Sequence, residues 1–190
     1  EDSAVVRDNA DIYDNAKVSN DAIVRGFAKV YGNAEICDKA FIYGSAKIFD
    51  DAIVRGFAKV HEFAEISEKA FVVGDSEVYG NARVCNNAII RGSAIVRGNA
   101  RVGGNAIIED TAIIRGNANV FENAKVRDEA IVNGFAKVYG HADISGKAFI
   151  SGNVEVEGKA IVRGCSSVEW VAKVFENAIV EGNSSVYGYA

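Results

Sequence analysis

One register governs the chain. Stepping by six from Ala4 to Ala190 meets 32 positions, of which 28 are alanine, and these hold every alanine in the sequence. The four exceptions are Ser76, Val154, Ser166 and Ser184. Two places after each register position, from Val6 to Val186, stands Val or Ile without exception, and no insertion breaks the count. A small and a β-branched residue two apart point to the same side of a short strand, while the residues around them point out. An amphipathic helix needs a period near 3.6 and is excluded by this spacing.

Four places after the register position stand 18 of the 19 glycines, six Asp, Asn20, Asn86, four Glu and one Trp. Gly, Asn and Asp tolerate the left-handed backbone region, so this position is a corner. Twelve Asn sit immediately before a register position, Asn33, Asn99 and Asn117 among them. The unit reads Ala-x-Val-x-Gly-Asn: one short strand and one corner. Such a strand buries nothing alone, so its neighbours must be equivalent strands from the next turn of a coil.

The pattern resembles the hexapeptide-repeat proteins, and the likeness runs from residue 3 to residue 190. That resemblance implies an all-β fold: a single-stranded left-handed parallel β-helix, triangular in section, with three hexads to each coil. The hand comes from the resemblance alone, because parallel crossovers in general favour the right hand. About ten coils at the ~4.8 Å spacing of neighbouring strands give a prism on the order of 50 Å long. Residues 1–190 read as one uninterrupted solenoid, expected to be a segment of a longer or end-stacking array. The enzymes of the family carry proline-containing hexads and at least one loop thrown out of the coil. This chain has no proline and no such loop.

A formal net charge of −5, with both signs alternating, argues against a nucleic-acid partner. No apolar run reaches the eighteen or so residues of a membrane span, the first residues are unlike a signal peptide, and the compartment is left open. Cys37, Cys85 and Cys165 form neither a disulfide framework nor a metal spacing, so no metal or cofactor is expected. Ice binding would need ranked threonines, and Thr111 is alone.

In a coil of 18, positions 18 apart stack, so outward ladders can be read directly. The first face carries Val5, Ile23, Phe41, Lys59, Glu77, Ile95, Ile113, Ile131 and Phe149. The third carries Ile53, Phe71, Ile89 and Ile107 as consecutive rungs, and later Ile161 and Ile179. The second is charged, with Lys29, Lys47, Glu65, Arg83, Arg101 and Lys137. Contiguous exposed apolar strips mark contact surfaces, so lateral or end-to-end self-association is expected through the first and third faces and the open coil ends. Isoleucine and phenylalanine also favour strands without any partner. Tyr13, Tyr31 and Phe49 form an aromatic row, as do Phe121 and Tyr139, read as strand-forming rungs with a sugar platform as the alternative. Arg97 stacks with Arg115, Arg7 with Arg25 and Arg83 with Arg101, an arrangement that costs energy unless an anion or an acidic neighbour compensates.

The resemblance also implies an enzymatic alternative, because acyltransferases of the family use a histidine base at a subunit boundary. His61 is the one candidate, with Glu62 beside it in sequence. A base needs a walled pocket as well, and no loop is present to build one. The reading is therefore a rigid structural, self-assembling scaffold. A trimeric acyltransferase-type enzyme or degenerate relative is the first alternative, and a binding module for carbohydrate or anionic polymer the second. No small-molecule substrate is expected. Trp170 occupies a corner otherwise given to Gly, Asp, Asn or Glu, where a locally altered corner is expected.

Overall fold

The computed structural model describes residues 3–188; the register position Ala190 lies outside them. Among the described residues thirty-one short strands follow one another, all but two of them two residues long. They join in parallel into three sheets of 11, 10 and 10 strands, each strand pairing with the third before and the third after it in the sequence. Partners stand 18 apart throughout: Val5 pairs with Ile23, Lys29 with Lys47, and Phe71 with Ile89. The chain is therefore a left-handed parallel β-helix of triangular section with about ten coils and no helix among the described residues.

Each coil is bonded to the next through its backbone. Val5 N–H donates to the Ala22 carbonyl at 2.9 Å and Arg7 N–H to that of Val24 at 3.1 Å, and the same step continues to Ser167 and Ser184. Strands this short survive because most of their polar groups are paired vertically, so that no strand stands without two neighbours except at the end coils.

The interior is filled by the register residues. From Ala22 to Ala172 the register alanines and the Val or Ile two places on are fully buried. Each buried Val or Ile contributes roughly 1.5–3 kcal/mol from the area it removes from water. Ser76 and Ser166 replace alanine without leaving a hydroxyl unpaired. Their Oγ atoms donate to the carbonyls of Val73 and Arg163, three positions back across the corner, at 3.0 and 2.9 Å.

Every described corner lies in the left-handed region, eighteen as glycine and thirteen as other residues. At glycine the backbones approach closely: a Cβ on Gly134 would lie 2.7 Å from Gly152 N. The non-glycine corners offset their strain in part by a hydrogen bond to the coil above. Asp38 accepts from Gly56 N–H at 3.1 Å, Asp128 from Gly146 N–H at 2.8 Å, and Glu122 from Gly140 N–H at 2.9 Å. The Asn residues beyond the corners form ladders, Asn81 to Asn99 to Asn117 at 3.0 and 3.1 Å, and Asn87 to Asn105 to Asn123 at the same distances. Trp170 keeps the corner conformation, with φ of 69°. What changes there is the strand before it, which lengthens to Ser167–Trp170 and pairs with the equally long Phe149–Gly152.

The corner geometry sets a specific expectation. Gly56→Ala introduces left-handed strain and a tight contact with Gly74, and lowers stability to urea by about 1–2 kcal/mol. Gly56→Asp, which adds a carboxylate within reach of Gly74 N–H, costs less than half of that. Equal losses in the two variants would contradict the capping role of corner carboxylates.

Candidate interaction surfaces

The first face brings Ile95, Ile113, Ile131 and Phe149 onto four consecutive rungs, paired in register. Ile23 and Phe41 form a second, shorter block, separated from the first by Lys59 and Glu77. On the third face Ile53, Phe71, Ile89 and Ile107 are likewise consecutive. All ten of these side chains are half-buried: neighbouring rungs cover their flanks and leave their tips in solvent. The ladders are continuous apolar strips, flatter than isolated side chains would be.

The second face has another character. Glu65 pairs with Lys47 and Arg83, both at 3.1 Å. Glu155 is bracketed by Lys137 at 3.1 Å and Lys173 at 2.8 Å, and the hydrogen bonds from these two hold its carboxyl below the usual range. Exposed pairs of this kind are worth about 0–1 kcal/mol each, so their consequence is wetness more than stability.

A further set of exposed apolar groups lies at the corners. Phe27, Phe63 and Phe135 lie in one column beside the second face, and Phe57 stands beside the first; all four are between 57% and 66% exposed, more than any residue of the apolar ladders. Reasoning from strand faces missed them. The available signal was phenylalanine in the place before the register position, where Asn is the commonest residue. Beside Phe57 an open groove of roughly 560 Å³ includes Ile23 and Phe41, extending that end of the first face around the edge.

The edge after the first face holds a column of rings. His61 is sandwiched between Tyr43 and Tyr79, with ring centroids 4.5 and 4.9 Å apart and planes within 6°. Its Nε2 is 3.0 Å from Glu77 on the first face, and its side chain is 11% exposed. The acid that engages it is thus Glu77, and Glu62 is not its partner. With both ring faces and one nitrogen occupied, His61 is built as a rung. A second stack joins Tyr13, Tyr31 and Phe49 at 4.9 and 5.0 Å. Rings stacked this way cover one another's facing surfaces and leave Tyr13, at the end of the row, 44% exposed. Phe121 instead covers the space over Gly103, the one glycine outside a corner; a Cβ there would lie 2.6 Å from the Phe121 ring. Tyr139 bonds to Glu157 one rung on, which pushes its phenol up to about 12.

Among the described residues no group of His, Cys, Asp or Glu is placed to hold a metal ion. Burial pushes the Cys37 and Cys85 thiols up, away from the thiolate form, and Cys165 is exposed. No described helix is long and apolar enough to cross a membrane. A scan against protein-family models and a search of curated proteins find no match to this chain.

The ring column predicts how His61 responds to substitution. His61→Ala removes two stacked contacts and lowers stability to denaturant by about 1–3 kcal/mol, since each such pair contributes about 0.5–1.5 kcal/mol. His61→Phe keeps the stack and loses less than about 1 kcal/mol. Equal destabilisation by Phe and Ala would show that the ring stack is not what His61 supplies.

Proposed function

We propose that this chain is a hexapeptide-repeat β-helix whose role is mechanical: a stiff, straight element that associates with further copies of itself through the apolar blocks of its first and third faces. The observation that carries this reading is the pair of four-rung blocks, Ile95 to Phe149 and Ile53 to Ile107, each continuous, half-exposed and flat. Burying such strips is favourable at roughly 25 cal/mol per Å² of apolar surface. The partner that matches them best has the same rung spacing, and a second copy has it by construction. The ion-paired second face is left in water, so the two apolar faces set the direction of association.

The end coils present inward residues that a further coil would cover. At the carboxyl-terminal end the inward residues Val174, Ala178, Val180 and Val186 line an open hollow that no further described coil covers. The mirror requirement exists at the other end, where Val5 and Val6 are 40% and 47% exposed. A coil of the same kind fits either end, whether it continues the chain or comes from another copy. The acyltransferase-type reading rests on His61, whose ring and Nε2 are already engaged, and it draws no support from the site geometry.

Sedimentation velocity and negative-stain imaging test the proposal. The wild-type protein is expected to form elongated particles that grow with concentration. Ile95→Lys combined with Ile113→Lys, with circular dichroism unchanged, shifts it to narrower and lighter species. A wild-type protein that stays monomeric at high concentration, or a double variant that assembles unchanged, overturns lateral association through the first face.

A further inference from the structure

Charges on this solenoid are neutralised across one turn at several places. Arg91 bonds to Glu109, Arg127 to Asp143 and Arg163 to Glu181. At one step two half-buried arginines stand together outside the rule. Arg97 and Arg115 stand on successive rungs of the edge after the first face, both half-buried, and neither belongs to an ion pair among the described residues. Arg97 Nη1 donates to the Tyr79 hydroxyl at 3.1 Å, which swings that guanidinium down over the ring. Arg115 Nε is fully buried and has no hydrogen-bond partner. A buried charged donor without an acceptor is costly, and its natural complement is an anion.

The backbone beside the two arginines adds donors of its own. Where a corner carries Asp, Asn or Glu, its side chain can accept the N–H of the corner above, as Asp8 does for Gly26 and Asn86 for Gly104. Along this edge Gly80, Gly98, Gly116 and Gly134 follow one another with no side chain to do so. The N–H groups of Gly98, Gly116 and Gly134 accordingly have no side-chain cap from the corner below. The missing side chains also leave an open groove of roughly 360 Å³ between the ring-and-arginine column and the corner, with Arg97, Arg115 and Tyr79 in its wall and Glu62 at its lower end.

We propose that the Arg97–Arg115 step binds an oxyanion of the phosphate or sulfate class, free or carried on a polymer. The guanidinium groups supply forked charged donors, and the uncapped glycine N–H groups are the neutral donors of the site. The groove is open along the solenoid axis, so a polymer bearing such groups can run past the site without a closed pocket. Glu62 sets the lower boundary by repelling an anion placed one turn further down.

Calorimetric titration of the wild-type protein with sodium sulfate, sodium phosphate and dextran sulfate tests this, with sodium chloride as the blank. Binding of a simple ion at millimolar or tighter affinity supports a free-ion site; binding of dextran sulfate alone supports a polymer site. In either case Arg97→Gln and Arg115→Gln, each with unchanged circular dichroism, weaken binding about tenfold or more, equivalent to about 1.4 kcal/mol. Arg163→Gln, on another edge and paired with Glu181, leaves it unchanged. Absence of binding to the wild-type protein by all three probes overturns the proposal, as does unchanged affinity in the two arginine variants or an equal loss in Arg163→Gln.

Discussion

The hydrogen bond from a backbone N–H to a carbonyl of the next coil is the constraint from which the molecule follows. It fixes the length of the coil, and with it the identity of every vertical neighbour. A two-residue strand has almost no stability of its own; stacked eleven deep in one sheet, it becomes one rung of a ladder in which backbone pairing is continuous. Stability in such an array is a sum of nearest-neighbour terms, so a local defect weakens one interface and leaves the rest standing.

Because each residue repeats its neighbour's position, side-chain chemistry is amplified along the axis. Asn over Asn gives amide ladders, Tyr over His over Tyr gives a ring stack, and Ile over Ile gives an apolar strip. The same amplification makes like charges expensive. The second face relieves this in part by setting Glu65 between Lys47 and Arg83 and Glu155 between Lys137 and Lys173, while Lys29 still stands over Lys47 and Arg83 over Arg101. The edge at Arg97 and Arg115 has no such acid, and those two guanidinium groups stand on successive rungs outside any ion pair among the described residues, which is the arrangement the proposed anion site rests on.

The inward set was legible in the sequence because a closed triangular section leaves no room for choice. Only Ala, Ser or Val stands at the register position, and only Val or Ile fills the wall. The corners were legible for a similar reason, since the left-handed region filters residue types. The ladders on the faces followed from the coil length alone. Side-chain direction at the edges was not legible. Edge residues have solvent on one side and two rungs within reach, so the acid engaging His61 is Glu77, from the next coil, and not its sequence neighbour Glu62. Phe121 leans over Gly103 because a missing side chain leaves space there, a feature visible only when positions one coil apart are compared. The exposed corner phenylalanines were overlooked because strand reasoning considers faces, while a three-sided prism exposes its edges most.

The coil length is the quantity on which all of these assignments rest, and pulsed electron resonance between spin labels measures it directly. With Cys37, Cys85 and Cys165 replaced by serine, labels at positions 29 and 137 lie six coils apart, and labels at 29 and 173 lie eight, all on the ion-paired second face. At ~4.8 Å per coil the account predicts separations of about 29 and 38 Å, in the ratio of the coil numbers. Separations that differ from these by more than the reach of the labels, such as the roughly 43 and 58 Å of a coil of two hexads, would contradict a coil of three.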